Sequence, residues 1–314
     1  MTDPVHAPLA DASDLFAHSQ VGKARFPLAP GETLAQGLRR CAVEEIAAAR
    51  RDVADPDLPR EEIVHRTRRH IKRLRSLFFV FTPLPGADRD DRTTRLRDIA
   101  RLLADARDAD VVAAEARRLH THAEAAEIAP LADLVARLDE ASRRAHDRTP
   151  PLDLVAARLR ACEADVQSLP LDFPAGRLLR DALTESYRRG RRDWRDIDDS
   201  GGGEEALHDW RKRVKQRRHL TAMVPIELPA CSTAVQHDLE RLGEILGEEH
   251  DLAVLAERLN GEPGLLPDTD RDALLDRLAR RRRKLKKGAV ELGGELYDRR
   301  TSHFRADLAA LDEL

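Results

Sequence analysis

Two histidines in this chain are each followed by the same spacing of basic residues. His65 precedes cations at positions +3, +4, +7 and +10, and His208 repeats the pattern at an offset of 143 without a gap. At about 100° per residue, these positions lie within about 80° of the histidine on one face of an α-helix. Each copy is therefore predicted to be a helix with a positively charged stripe beside a histidine. The first stripe contains Arg68, Arg69, Lys72 and Arg75, and the second contains Arg211, Lys212, Lys215 and Arg218.

The charge of these stripes is almost purely positive. An ordinary solvated helix face mixes signs, since like charges four residues apart repel each other and opposite charges give slight support. The opposite face of the first helix is apolar, so this helix is predicted to be amphipathic. One stripe alone is compatible with a plain solvated face, but its repetition at a fixed offset favours a functional surface. The residues that point to this opposite side are Ile71, Leu74, Phe78 and Phe81, and Val64 flanks them.

The composition predicts an all-α protein. The 314 residues include only 7 Phe, 2 Tyr and 2 Trp, and apolar residues recur at steps of three and four along the chain. The hydrophobic content of 41% is enough for helix-bundle cores despite 35% charged residues. The net charge of −3 hides a segregated distribution, because basic runs occupy residues 188–192 and 280–287. Such segregation indicates a local positive field.

Proline and glycine breakers divide the chain into helices. Residues 1–30 contain four Pro and little periodicity, so a loose N-terminal arm is predicted there. Helices are predicted at about 32–53, 60–82, 91–119, 124–148 and 152–168, and then at about 174–197, 204–224, 232–260 and 268–291.

The repetition extends beyond the two basic helices. Residues 102–108 align with residues 245–251 at the same offset of 143. A tandem duplication explains the pattern, with repeats at 31–150 and 151–314 inside one domain, and its period is too long for a solenoid. Two helical bundles, or one pseudo-symmetric pair, would bring the two basic helices toward a common surface.

The sequence gives no sign of a metal centre, a disulfide framework or a membrane segment. Cys41, Cys162 and Cys231 are far apart and form no ligand spacing, so buried thiols in a reduced compartment are expected. The N-terminus lacks a charged-then-apolar signal pattern. No apolar run approaches the length of about 18 residues that a membrane-spanning helix needs. A soluble, cytoplasmic protein without a metal, a cofactor or a membrane partner is therefore predicted.

The doubled His-x-x-Arg-x-x-x-Lys-x-x-Arg helix, followed by a Leu-Leu-Gly-x-x-Arg-Asp-like helix, resembles the conserved histidine α-helical domain (CHAD). The resemblance covers nearly the whole chain, from about Pro30 to the C-terminus. The residues that carry it are His65, Arg68, Lys72, Arg73, Arg75, Arg107 and Asp108 in the first half, and His208, Arg211, Lys215, Arg218, Leu246, Gly247 and Asp251 in the second.

The resemblance implies tandem, pseudo-symmetric four-helix bundles around a basic central groove or channel that binds inorganic polyphosphate. It also implies association with polyphosphate granules and no catalysis. Polyphosphate carries about one negative charge per unit and has no base edges, so its recognition requires many regularly spaced cations. A helix that rises 1.5 Å per residue places His65 and Arg75 about 15 Å apart, enough to follow several consecutive phosphates.

Four positions depart from the family pattern. The second half is therefore expected to bind phosphate with somewhat different contacts. The departures are Gln216 and His250 where the first half has Arg73 and Arg107, Arg217 in place of an apolar residue, and Ala104 in place of a glycine.

The histidines and the acidic residues have two interpretations each. His65 and His208 could donate to phosphate, with an affinity that rises as the pH falls, or could be locked by a helix neighbour. Binding is the favoured role for the histidines. An orienting, structural role is favoured for Asp108 and Asp251, since a carboxylate would repel polyphosphate, and Arg107 is grouped with them.

Two further basic segments supply candidate binding residues. On the helix that precedes the second basic helix, i, i+7, i+11 spacing places Arg180, Tyr187 and Arg191 on one face. In the run 280–287, a spacing of four favours two of the seven cations. The candidates from these segments are Arg180, Tyr187, Arg188, Arg191, Arg282 and Lys286.

Two other functions compete with polyphosphate binding. A histidine phosphotransfer protein also presents a histidine beside cations on a bundle helix, but each histidine here has more cations nearby than a transient phosphohistidine requires. A nucleic-acid-binding protein is the second alternative. The aromatic content of 4% leaves few stacking platforms for single strands, and no reading-helix motif for duplex DNA is apparent. A non-catalytic binder of polyphosphate is the preferred interpretation.

Overall fold

The structure is a computed structural model that describes residues 28–84, 89–123, 127–170 and 172–314. Within these ranges the chain is helical and contains no strand, which confirms the predicted all-α class. Up to residue 27, the N-terminal arm predicted at 1–30 lies outside the described residues. The helices are α1 (Leu34–Ala54), α2 (Arg60–Phe81), α3 (Arg89–Leu102), α4 (Ala104–Thr121), α5 (Ile128–Arg148), α6 (Leu152–Gln167), α7 (Ala175–Ser200), α8 (Glu204–Thr221), α9 (Thr233–Gly261), α10 (Asp268–Tyr297) and α11 (Thr301–Ala306), with short 3-10 helices at Pro229–Cys231, Pro263–Leu265 and Ala309–Glu313.

The order of the helices follows the sequence repeat. At the offset of 143, α1 corresponds to α7, α2 to α8 and α5 to α10, while α3 and α4 together correspond to the single long helix α9. The helix α6 connects the two series and packs against α1 and α3, where Arg95 forms an ion pair with Asp165. The two basic helices therefore occupy equivalent places in the chain order.

One predicted helix differs from the structure. The segment predicted as one helix at 91–119 is two helices, because the backbone of Leu103 leaves helical geometry with φ −108° and ψ 8°. The carbonyl groups in the last turn of a helix have no partner inside that helix. Here Arg68 Nη1 of α2 donates a hydrogen bond to the Ala100 carbonyl of α3 at 2.8 Å. A basic side chain of α2 thus satisfies a backbone group that the break exposes.

The apolar side chains form two clusters. The first cluster combines α1, α2, α3 and α6 with α7, α8 and the first half of α9. The second combines α4 and α5 with the second half of α9 and most of α10. Each cluster draws on both sequence halves, so packing of the halves against each other supports both basic helices.

The rotation of α2 is fixed by its apolar side and by a buried polar contact with α1. Ile71, Leu74, Phe78 and Phe81 are all buried, as the helical spacing predicted. His70 is also buried, and its Nδ1 lies 2.6 Å from Glu45 Oε1 while its Nε2 lies 3.0 Å from Asp52 Oδ2. Although burial opposes the charged ring, these two carboxylates raise the pKa of His70. The stripe of α2 is consequently turned away from α1.

The rotation of α8 is fixed by an aromatic cage around a buried arginine. Arg217 is 2% exposed, and its guanidinium lies 4.7–5.2 Å from the ring centroids of Tyr187, Tyr297 and Phe304. Its Nη1 donates to the Leu296 carbonyl at 3.0 Å. The unexpected cation at this position therefore packs as a core residue, supported by cation–π contacts.

A glycine on α10 permits a close approach to α8. A Cβ atom at Gly293 would lie 2.7 Å from ring atoms of both Trp194 and Trp210, closer than any side chain allows. Trp210 is fully buried beside the stripe of α8. The small residue thus sets the position of α8 in the core.

Candidate anion-binding site

The two basic helices meet at a pair of equivalent residues. Ser76 Oγ of α2 lies 3.2 Å from His219 Nδ1 of α8, and the two residues are 143 positions apart in the sequence. This contact joins two positions that are equivalent in the sequence repeat, and it brings the two stripes next to each other.

Basic side chains from both stripes act on each other next to this contact. In addition to desolvation, the positive charges of Arg211 on α8, Arg68 on the same helix and Arg107 on α4 lower the pKa of Lys72. The charges of Arg211, Lys72 and Arg218 likewise add to the effect of desolvation in lowering the pKa of Lys215. We call Arg68, Lys72, Arg107, Arg211 and Lys215 the central cationic cluster.

The two lysines of the central cationic cluster show that it lies in a recess. Desolvation by the surrounding protein, and then the neighbouring cations, lower the pKa of Lys72 to about 8 and that of Lys215 to about 7. Both side chains nevertheless reach solvent, since Lys72 is exposed and Lys215 is half-buried. We use the word recess for this partly enclosed part of the surface, in which solvent-accessible lysines are desolvated by the surrounding protein.

A pair of equivalent aspartates, Asp108 and Asp251, supplies negative charge near the central cationic cluster. Asp251 Oδ1 lies 3.7 Å from Arg211 Nη2, and Asp108 acts electrostatically on Arg68. Burial, opposed by the charge of Arg68, raises the pKa of Asp108. Within the described part of the chain, Nε of Arg68 and Nε of Arg211 are both buried without a hydrogen-bond partner. Each of the two arginines therefore has one N–H donor that no group of the described residues uses.

A pair of histidine rings adjoins the cluster on the α8 side. The rings of His208 and His250 stack with their centroids 4.6 Å apart. Burial and then the nearby cations lower the pKa of His208, and they lower that of His250 to about 3. Among the described residues, His208 Nδ1 is buried without a hydrogen-bond partner. Both rings are thus neutral at pH 7 and surrounded by positive charge, while His65 is half-buried at the equivalent position on α2.

The outer residues of the stripes lie at the edge of the recess. Lys212 Nζ donates to Asp209 Oδ1 at 2.8 Å, and Arg218 Nη1 donates to Glu240 Oε1 at 2.6 Å. Arg75 is exposed and Arg69 is half-buried. These four candidates accompany the central cationic cluster but are less enclosed than its lysines.

The candidates on α7 do not join the central cationic cluster. Tyr187 is buried, stacks on Phe304 with ring centroids 4.0 Å apart, and donates its hydroxyl to the Arg299 carbonyl. The face of α7 that carries Tyr187 packs against the C-terminal segment, so Tyr187 is closed to a ligand. Of the others, Arg180 pairs with Asp181 and Asp312, Arg188 with Glu185, and Arg191 donates to the Asp298 carbonyl.

Three further candidates also take structural partners. Arg73 lies at the edge of the polar face of α2 and is buried, with Nη1 3.3 Å from Glu45 Oε1. The two candidates on α10 fasten that helix to the turn before α8 and to α9. Arg282 pairs with Glu204 and Glu249, and Lys286 Nζ donates to the carbonyls of Gly201 and Gly202. These side chains are therefore left out of the proposed site.

Sequence reasoning missed charged residues on the helix that follows each basic helix. Arg97 of α3 acts on Arg75, and at the equivalent position of α9 Glu240 binds Arg218. His219, at the crossing of α2 and α8, was missed as well. The offset of 143 would have paired these positions, since 97 corresponds to 240 and 76 to 219.

The described ranges support neither a metal site nor a membrane-spanning helix. No group of three or more His, Cys, Asp or Glu side chains there could hold a metal ion. No helix in these ranges has both the length and the apolar character needed to cross a bilayer.

The fold and the repeated basic helix define an all-α class of protein with a cationic site between two related halves. A model of the CHAD domain family matches residues 38–260, most of the chain, and this protein therefore belongs to the CHAD domain family. The crystal structure of the CHAD domain from the plant Ricinus communis shares the fold, with a TM-score of 0.58 and 19% sequence identity. The match covers 91% of this chain and 96% of that chain. A comparison with curated proteins finds no match.

Proposed function

We propose that this protein binds inorganic polyphosphate at the central cationic cluster and catalyses no reaction on it. The proposal rests on one observation: cations of both basic helices share a recess in which the pKa values of Lys72 and Lys215 are lowered. An anion in the recess would favour the protonated form of both lysines and reduce the repulsion among the arginines. Membership of the CHAD domain family supports polyphosphate as that anion.

The chemistry of the cluster suits a chain of phosphates. Arginine presents a planar fork of donors to phosphate oxygens, and lysine offers a point charge on a flexible stem. Arg68 and Arg211 each have an Nε that takes no hydrogen-bond partner among the described residues. Because the cations come from two helices, an extended anion would contact more of them than a single phosphate could. We also propose that the protein associates with polyphosphate granules in the cytoplasm.

The proposal is tested by competition at two salt concentrations. Long-chain polyphosphate should bind tightly at low salt and much more weakly at about 0.5 M salt, since counterion release drives the binding of linear polyanions. Duplex DNA at the same phosphate concentration should compete poorly, because the chain has few aromatic side chains and no reading-helix motif. Affinity that does not change with salt, or equal competition by DNA, would contradict the proposal.

A second measurement separates binding from phosphotransfer. His208 is stacked on His250 and surrounded by cations that can hold an anion without a covalent step. Incubation with a phosphodonor should therefore leave no acid-labile phosphate on the protein, and His65→Gln with His208→Gln should retain appreciable polyphosphate binding. Stoichiometric phosphohistidine at either position would establish the phosphotransfer alternative instead.

A further inference from the structure

The two repeats contribute unequal charge to the site. We call α2 with α3 and α4 the first arm, and α8 with α9 the second arm. At four equivalent positions the first arm has four guanidinium groups, whereas the second has two guanidinium groups, a carboxylate and an imidazole. In order, these residues are Arg68, Arg75, Arg97 and Arg107 in the first arm, and Arg211, Arg218, Glu240 and His250 in the second.

The first inequality lies at positions 97 and 240. Arg75 and Arg97 are both exposed, and after desolvation the charges of Arg97 and Arg213 lower the pKa of Arg75. Of these two arginines, Arg213 has an acidic partner, since its Nε lies 3.7 Å from Asp193 Oδ2. In the second arm, by contrast, Arg218 Nη1 already donates to Glu240 Oε1 at 2.6 Å. In the first arm, this position thus adds a guanidinium group, Arg97, that suits phosphate. In the second arm, the same position holds Glu240, which neutralises the guanidinium group of Arg218.

The second inequality lies at positions 107 and 250. Arg107 supplies a guanidinium group, while His250 stacks on His208 and has a pKa of about 3 because of burial and the cations of α8. Asp251, next in the chain, is turned to Arg211 at 3.7 Å. The charged groups that act on the histidine pair are Asp209, Arg211, Lys212 and Lys215 on α8. Beyond them, Glu249 and Asp251 on α9 and Arg107 on α4 act on Arg211, Asp251 acts on Arg118 of α4, and Arg282 of α10 pairs with Glu249.

We infer that the first arm is the primary phosphate subsite, with Arg97 among its binding residues, and that the second arm gains affinity only when His208 and His250 take up protons with the anion. The inference rests on the proposed function and adds a direction to it. A short anion would occupy the first arm at neutral pH. A long chain would extend from there onto the second arm, more strongly in mild acid.

Tripolyphosphate is the probe of choice because it is too short to need both arms. With the full chain at pH 7.5, Arg97→Glu should lower its affinity about tenfold, and Glu240→Arg should raise it about threefold. Arg101→Glu is the matched control, since Arg101 lies one turn further along α3, is 70% exposed and pairs with Asp98. This control should change the affinity less than twofold. Arg97→Gln, with an expected loss of about threefold, replaces the charge reversal if that variant unfolds.

A reciprocal exchange tests the histidine pair. His250→Arg should raise the affinity at pH 7.5 and flatten its dependence on pH between 5.5 and 7.5. Arg107→His should lower the affinity at pH 7.5 and make it depend more steeply on pH between 5.5 and 7.5. If wild-type protein binds tripolyphosphate but Arg97→Glu and Glu240→Arg match the Arg101→Glu control, the arms are equivalent and this inference is overturned. If wild-type protein binds neither tripolyphosphate nor long-chain polyphosphate, the proposed function itself fails.

Discussion

Lys72 and Lys215 show at the scale of single residues how the proposed binding site opposes folding. Their pKa values of about 8 and 7 lie well below the ordinary 10.5, because desolvation and nearby cations disfavour the ammonium form. Between pH 7 and 10.5 the unfolded chain therefore binds more protons than the folded protein does. The free energy of unfolding should consequently rise with pH across this window.

Removal of both lysine charges should stabilise the protein and weaken its proposed binding of polyphosphate. At pH 7.5 without added anion, we expect Lys72→Met with Lys215→Met to raise the Tm by about 2–4 °C, which corresponds to about 1 kcal/mol. The same variant should bind polyphosphate more weakly and lose the pH dependence of stability described above. Lys284→Met with Lys287→Met is the matched control, because both residues are exposed on α10 and should leave the Tm unchanged. A lower Tm for the first variant would show that the two lysines stabilise the fold.

The sequence predicted the stripes because helical spacing determines which residues share a face. It did not predict which candidates a neighbouring helix covers. Arg73 lies about 80° from His65 around α2, at the edge of the polar face, and Glu45 of α1 binds it there. Tyr187 shares a face with basic residues, but that face packs on the C-terminal segment. The partners of these two residues are 28 and 112 positions away along the chain, beyond the reach of helical spacing.

At the scale of helices, the break between α3 and α4 distinguishes two equivalent arginines. Arg68 Nη1 donates to the Ala100 carbonyl in the last turn of α3, whereas Arg211 faces the uninterrupted helix α9 and lies 3.7 Å from Asp251. Arg68 therefore stabilises a helix end in addition to its proposed role in binding. Arg211 has no such helix end to stabilise and keeps only its proposed role in binding.

The two arginines should differ in their effect on stability. We expect Arg68→Ala to lower the free energy of unfolding by about 1–2 kcal/mol, since it removes a charged hydrogen bond to a backbone carbonyl. Arg211→Ala should change it by less than about 0.5 kcal/mol. Urea denaturation of the two variants at pH 7 measures the difference, and each serves as the control for the other. Equal losses would mean that the bond to Ala100 contributes nothing.

Helix positions were predictable because Pro and Gly mark most of their ends. The break at Leu103 was not predictable from the sequence, since its neighbours Leu102 and Ala104 are good helix formers and no Pro or Gly is near. The burial of Leu103 and the bond from Arg68 accompany the break, and both are tertiary contacts. Local propensity alone gives a continuous helix there, like α9.

At the scale of the whole molecule, the two sequence halves hold each other in place. The second apolar cluster joins Leu134 of α5 and Val112 of α4 to Leu255 of α9 and Leu278 of α10. The first cluster likewise spans both halves. The constant offset between the repeats predicted that the halves are similar and that their basic helices face a common surface, but not the residues at which they meet. The contact of Ser76 with His219 places that meeting point beside the central cationic cluster.

The central claim is that both basic helices bind one anion, and the salt dependence of binding tests it directly. The measurement is the slope of log affinity for long-chain polyphosphate against log salt at pH 6.5, where most of Lys72 and Lys215 is protonated. Lys72→Gln and Lys215→Gln should each reduce the magnitude of the slope by about 1, and the double variant by about 2. Lys284→Gln with Lys287→Gln should leave the slope unchanged. A slope that responds to only one of the two lysines would show that the anion contacts a single helix, and it would contradict the account.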